Sequence, residues 1–443
     1  MLYRQVHLFT FITVGLLSAS SLRAQKVAMT ATDAAIEKEL PDLVKLYKHL
    51  HENPELSLQE QQTSAKMAAE LKAAGFEVTS KLGGYGVVGV LKNGAGPTVL
   101  VRADMDGLPI IEKTGLPYAS KVRVRNKEGV EVGVMHACGH DVHMSCFIGA
   151  AKALAATKDY WQGTLLFVAQ PAEEVVAGAR AMLDEGLYKK FGKPDYALAL
   201  HADPLKPVGV ISYTDGLALA NSDTVDITVK GKGGHGAAPH LSIDPIVLSA
   251  RIILDLQTIV SREVNPLDPC VVTVGSIHGG TKHNIIPNEV KLQLTVRTTK
   301  PEVRKGVLEA IARIAKAAAV GAKAPEPDIV VSETQFTPAT INDSALVKRT
   351  TTLLKSVFSE KNIQTRPPQM GAEDFGRFSK DGVPIFMFFL GSVSQEKYDA
   401  SLKPGAAALP GMHTDAYYPE PDKAIRVGAR AMSLSVIDLL PKR

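Results

Sequence analysis

The chain has 443 residues, more than one compact core usually holds, so two domains are expected. Hydrophobic residues make up 45% and charged residues 22%, the balance of a folded protein rather than a disordered one. The formal net charge of +4 is spread along the chain without a basic block or an acidic tail, which argues against nucleic acid as a partner.

The first residues read as a secretory leader. Arg4 precedes an apolar run from Leu8 to Leu17, small residues follow, and Leu22, Arg23 and Ala24 offer a cleavage site. Residues 1–24 are therefore expected to be removed on export, giving a periplasmic or secreted protein. A membrane anchor is the alternative, but the run is short for a bilayer span and no later segment replaces it, so no membrane contact is expected after cleavage. The three cysteines, Cys138, Cys146 and Cys270, are an odd number and do not make a complete disulfide framework. Cys138 lies in a cluster of metal-ligand type, and the other two suit core packing.

Residues 34–50 and 61–74 read as amphipathic helices, the second closed by Gly75. Residues 98–101 form an apolar strand that delivers Asp104 and Asp106. Residues 144–157 are Ala-rich and apolar, a buried helix beginning after His140. Residues 164–169 form a strand that delivers Glu173 and Glu174, and the strand at 196–200 ends at His201. Strands alternating with helices imply a largely parallel sheet covered on both faces, with its site beyond the carboxyl ends of the strands. The middle of the chain changes style. Strands at 224–230, 271–277, 290–297 and 329–332 and helices at 243–260 and 303–320 follow the order β-α-β-β-α-β. The fold class is thus α/β: a mixed, largely parallel sheet catalytic domain (25–215 and 333–443) with an inserted ferredoxin-like α+β domain at 216–332. The first domain resumes with a helix at 344–358 and a strand at 385–390.

The densest chemistry is the run from His136 through Cys138, His140 and Asp141 to His143, followed one strand later by Glu173 and Glu174. On a Gly-containing turn Cys138 and His140 can reach one ion, and a thiolate favours a transition metal over magnesium or calcium. Alone, the pair reads as a buried Cys beside a structural His; the other segments reverse that reading. Glu173 and Glu174 diverge, so one can bind metal while the other handles a proton; a solvated acid pair at a helix start is the plainer alternative. His201 alone reads as a core residue. His413 sits in a loop, where Thr414 or Asp415 can orient its ring. His235, in the glycine-rich run 231–240, can donate to a developing oxyanion; the run lacks the spacing of a phosphate loop. Asn284 and Arg297 can bind a substrate carboxylate, though a strand Arg is often merely solvated. Residues 370–375 form a rim in which Gly371 leaves room for substrate.

Taken together, VRADMDGLP from Val101, MHACGHDVH from Met135, QPAEE from Gln170 and GAEDF from Gly371 resemble the M20 metallopeptidase family. Within it they resemble the amidohydrolase branch of hippurate hydrolases, N-acyl-amino-acid amidohydrolases and auxin-conjugate hydrolases. The likeness runs from His51 to His413. It implies metal ligands at Cys138, His140, Glu174, His201 and His413, with Asp104 and Asp106 behind them. The implied cofactor is a divalent transition metal, one or two ions per subunit, with manganese, zinc, cobalt and nickel all open. Glu173 is the implied general acid/base. The inserted domain is implied to form a homodimer in which a histidine matching His235 reaches the partner's active site. The dizinc peptidases of the wider superfamily have His-x-Asp where this chain has Asp104 and Asp106, so metal identity stays open. The implied reaction splits the amide bond of a small N-acyl amino acid into a carboxylic acid and an amino acid. A dipeptidase or metallocarboxypeptidase acting on short peptides remains an alternative. So does a non-catalytic exported metal- or solute-binding protein, which would need no spare base such as Glu173.

Overall fold

The computed structural model describes residues 5–126 and 129–442, with side chains from Lys26 onward. The expected leader, residues 1–24, lies outside the residues whose side chains are described. Among the described residues no helix is long and apolar enough to cross a membrane.

An eight-stranded sheet forms the larger body. Its strands lie in the order Glu77–Leu82, Gly86–Asn93, Gly163–Gln170, Thr98–Asp104, Tyr196–Pro207, Ile385–Val393, Ile211–Tyr213 and Ile363–Thr365. The four central strands are parallel to one another. Antiparallel pairs flank them on both sides, so the sheet is mixed. Central strands are apolar on both faces because both faces are covered: Val99, Leu100 and Val101 are all fully buried. The helices Gln5–Glu52, His140–Ala156 and Pro421–Leu439 pack together on one face through Leu43, Tyr47, Phe147, Ile425 and Met432. On the other face Met182, Phe375 and Phe378 close a second apolar layer.

The helix expected from residue 61 runs Gln61–Ala73 and stops where Gly75 takes φ +85°, a left-handed turn that glycine adopts without strain. One strand departs from expectation. It does not end at His201 but continues to Pro207, because the ladder with Ile385–Val393 persists past His201 (paired with Phe389). A register shift after Gly391 accommodates Pro204.

A second sheet holds Cys270–His278, Glu289–Thr298, Asn221–Lys230 and Asp328–Val331 in that order, all antiparallel. The helices Pro245–Thr258 and Pro301–Gly321 cover one face, burying Ile227, Leu248, Ile252, Leu292, Val307 and Ile311. This is the ferredoxin-like arrangement. Asp244 caps the first helix by accepting from the Ile246 amide at 2.8 Å, with Pro245 already set at a helical φ. The chain enters and leaves this region side by side, Gly216–Leu219 pairing antiparallel with Thr340–Asn342.

Candidate active site

The site gathers at the carboxyl ends of the parallel strands, where the two sheets face a cavity of about 700 Å³. Cys138, Glu173, Glu174, His201 and His413 line it from the large body, and Ser222, Thr224, Thr295 and Arg297 from the inserted sheet. Gly139 makes the turn that presents Cys138. Its φ is +82°, and a Cβ there would lie 3.1 Å from both Ala202 Cβ and the Tyr417 hydroxyl. The helix His140–Ala156 then starts at once, turning His140 inward.

Two donor sets overlap. Cys138, His140 and His201 bring their ligand atoms within 4.8 Å of one another, and so do Cys138, Glu174 and His413. Cys138 Sγ lies 3.5 Å from His201 Nε2, and His413 Nε2 lies 3.5 Å from Glu174 Oε2. His140 bonds through Nδ1 to the Asp106 carbonyl at 2.8 Å, and His201 through Nδ1 to the Ala202 carbonyl at 2.8 Å. Each ring is thereby oriented by a backbone acceptor, and Nε2 is the nitrogen left for a ligand. The His413 amide donates to the Ala137 carbonyl at 2.9 Å, docking its loop on the Cys138 turn. His413 itself takes φ +61°, a strained angle for a non-glycine residue. Thr414 and Asp415 do not steer its ring as expected: the Thr414 hydroxyl donates to the Gly411 carbonyl, and Asp415 pairs with Lys113.

A metal ion fits these residues. His140 Nε2 and Glu174 Oε1 are buried without a hydrogen-bond partner among the described residues, an arrangement that costs free energy unless a cation completes it. Thiolate, imidazole and carboxylate donors together suit a transition metal.

The acids behind the cavity are held by Arg102, which sequence reading did not single out. It is buried, yet it donates to Asp104 at 2.6 Å, Glu373 at 2.8 Å, Asp374 at 3.1 Å and Gln170 at 2.9 Å. Of the expected rim, Met370, Gly371, Ala372 and Glu373 line the cavity, while Asp374 and Phe375 do not and are buried, with Glu373, against this guanidinium. A charge inside the apolar run 99–103 was the available signal, since buried charges are almost always paired. Asp104 also bonds His143 Nδ1 at 2.6 Å, and His143 Nε2 accepts from the Ala202 amide at 2.7 Å. His143 is thus a strut beside His201. His136, the first imidazole of the run, is buried with its pKa lowered to about 4 by burial.

Glu173 and Glu174 diverge only in part: both come within 4 Å of His140 Nε2, Glu173 Oε2 at 3.9 Å and Glu174 Oε1 at 3.8 Å. Glu174 faces His413 and His140, while Glu173 also comes within 4.8 Å of Glu373 and Asp374. Burial, then the charges of Glu373 and Glu174, raise the Glu173 pKa well above the usual carboxylate range, with Arg102 opposing. Burial raises Glu174 to about 7 against the pull of His140. Burial would lower His140, but Asp104 and Asp106 outweigh it and raise it to about 10.

Arg297 and Gly371 line the cavity. Arg297 Nε donates to Thr295 Oγ1 at 3.2 Å. His235 and Asn284 lie elsewhere within the chain. They neighbour each other on a short two-stranded ribbon, both side chains exposed, where Gly234–His235 pairs with Ile285–Ile286 and the Gly236 amide donates to the Asn284 carbonyl at 2.8 Å.

The sequence model of peptidase family M20/M25/M40 matches residues 100–406. The chain belongs to this family. As an M20 protein it is a metal-dependent hydrolase. It is 40% identical over 336 residues to a hippurate hydrolase of Campylobacter jejuni, covering 75% of this chain and 84% of that protein. It is 36% identical over 365 residues to thermostable carboxypeptidase 2 of Saccharolobus solfataricus, covering 81% of this chain and 88% of that one. Its fold matches the YXEP protein of Bacillus subtilis, described as a dinuclear metal binding peptidase of the M20 family. That likeness has a TM-score of 0.73 at 29% identity and covers 91% of this chain and 99% of the other.

The protonation of the donors gives a pH prediction. At pH 7 His140 and the Cys138 thiol, raised by burial and then by Glu174, hold protons that a metal must displace, and Glu174 is about half protonated. Binding of Mn²⁺ or Co²⁺, followed by calorimetry, should weaken about tenfold or more per pH unit as pH falls from 8 to 6. Affinity independent of pH would remove these residues from the donor set.

Proposed function

We propose that this M20 enzyme hydrolyses the amide bond of N-acyl amino acids, releasing a carboxylic acid and a free amino acid. The observation that carries the reading is the pairing of Glu173 with the donor cluster: a buried carboxylate beside the ligands, at the floor of a cleft whose opposite wall bears Arg297. Similarity to the hippurate hydrolase, an enzyme named for an N-acyl amino acid, supports this substrate class.

Cys138, His140, Glu174, His201 and His413 are the proposed ligands, and the sharing of Cys138 between two donor sets suits one or two ions per subunit. Bound there, a divalent transition metal supplies Lewis acidity that brings the pKa of a water toward about 7. Glu173 takes the proton of the attacking water and returns it to the leaving amine nitrogen. A carboxyl that holds protons above the usual range suits the return step. Arg297 offers a cation to the substrate carboxylate, and Gly371 leaves space beside it. Glu173→Gln should lower kcat about 10²–10⁴-fold with bound metal unchanged by elemental analysis. Near-normal turnover would remove Glu173 as the base. Parallel assays of hippurate, acetyl amino acids and dipeptides separate amidohydrolase from carboxypeptidase action.

The exposed position of His235, away from its own cleft, supports a homodimer in which the imidazole donates to the oxyanion of the other subunit's substrate. Glu173→Gln and His235→Ala subunits, each inactive alone, should regain about a quarter of wild-type activity when unfolded together and refolded, because mixed dimers hold one complete site. No recovery on mixing would confine His235 to a role within one chain.

The leader-like residues 1–24 support action outside the cytoplasm. The mature protein should begin near Gln25 by N-terminal sequencing, and an intact Met1 on exported protein would count against cleavage.

A further inference from the structure

Glu60 stands at the N-cap of the helix Gln61–Ala73 yet makes no capping hydrogen bond. Glu55 does that work from outside, its Oε1 accepting from the Gln62 amide at 3.0 Å and its Oε2 from the Thr63 amide at 2.7 Å. The Glu60 carboxylate is instead fully buried, and its Oε1 accepts from the Ala172 amide at 2.7 Å. Its Oε2 is buried without a partner among the described residues. A carboxylate in such a place is costly, so its contact with Ala172 calls for an explanation.

That contact falls on the loop that carries the two active-site acids. Ala172 has φ +52° and Val176 φ +50°, both left-handed and both non-glycine. The loop is cinched by the Val176 amide donating to the Glu173 carbonyl at 2.7 Å and by the Ala177 and Gly178 amides donating to the Ala172 carbonyl at 3.1 Å. On the far side of Glu173, the Glu174 amide donates to Asp106 Oδ2 at 3.0 Å, and Ser57 holds that same oxygen at 2.6 Å. The amides on either side of Glu173 therefore both end on buried carboxylates. Both attachments trace to one short stretch: Glu60 acts directly, and Ser57 acts through Asp106. The Gly107 amide fixes that stretch by donating to the Glu55 carbonyl at 2.7 Å.

We propose that Glu60 is a positioning residue: its carboxylate clamps the strained backbone at Ala172 and so sets the direction in which Glu173 meets the substrate. Glu60 does not line the cavity, so it touches neither substrate nor metal. The kinetic part of this inference rests on Glu173 being the base, while the clamp itself does not.

The test uses three variants of the full-length, metal-loaded enzyme. An amide oxygen at the same reach accepts from Ala172 as a carboxylate does, so Glu60→Gln should keep the clamp. Glu60→Asp keeps the charge but draws the acceptor back by one methylene, and Glu60→Ala removes it. Amide hydrogen exchange at Ala172, read from the peptide spanning the loop, should quicken tenfold or more in Glu60→Asp and Glu60→Ala and stay close to wild type in Glu60→Gln. Turnover should follow the same order, falling about 10–100-fold in Glu60→Asp with KM and metal content nearly unchanged, and recovering most of that loss in Glu60→Gln. Should Glu60→Ala fail to fold, the Asp and Gln pair still decides. Turnover of Glu60→Asp at or above Glu60→Gln, unchanged exchange at Ala172, or a loss that tracks metal content would each overturn the proposal. If the wild type cleaves none of the N-acyl amino acids, the proposed function falls while the exchange comparison still judges the clamp.

Discussion

The site depends on one buried cation. Arg102 stands in a central strand with its guanidinium against Asp104, Glu373 and Asp374, and without its charge the acids around Glu173 would face one another in a poorly solvated interior. Such a network is weak evidence for stability, because desolvating four charges costs about as much as their attraction returns. Its value is geometric. From Arg102 the order passes through Asp104 to His143, and from His143 to the Ala202 amide beside His201. A proposed donor that reads in the sequence as a lone core histidine thus has its neighbour, Ala202, placed by a chain of hydrogen bonds that starts from Arg102.

The same crowding shapes the chemistry. Glu173 and Glu174 share a backbone but differ in surroundings. Glu174 is offset by His140, while Glu173 lies near Glu373 and Asp374. Burial makes both hold protons above the usual carboxylate range, with Arg102 opposing the shift at Glu173 and His140 opposing it at Glu174.

Much of this was legible in the sequence where the signal was local. Apolar runs such as 98–101 and 164–169 gave central strands, and the β-α-β-β-α-β order gave the inserted sheet. The edge strand Glu77–Leu82, mostly exposed, carries no such run and went unread, as did the helix Pro421–Leu439. Cys138 with His140, and Glu173 with Glu174, stood out because their spacing is short. His201 and His413 joined them only through likeness to a family, since nothing near them in the chain announces a shared centre. Arg102 and Glu60 stayed hidden for a plainer reason: Glu373 and Ala172, which they hold, are 271 and 112 residues away.

The paired strands Gly216–Leu219 and Thr340–Asn342 form the doorway through which the chain visits the inserted sheet and returns. All five proposed donors lie outside that excursion, whereas Arg297, Thr295 and Thr224 lie within it. The five donors are therefore written outside the excursion, while part of the cleft wall and His235 are written within it. That part of the wall can be rewritten, lengthened or trimmed between its two doorposts while the five donors stay where they are.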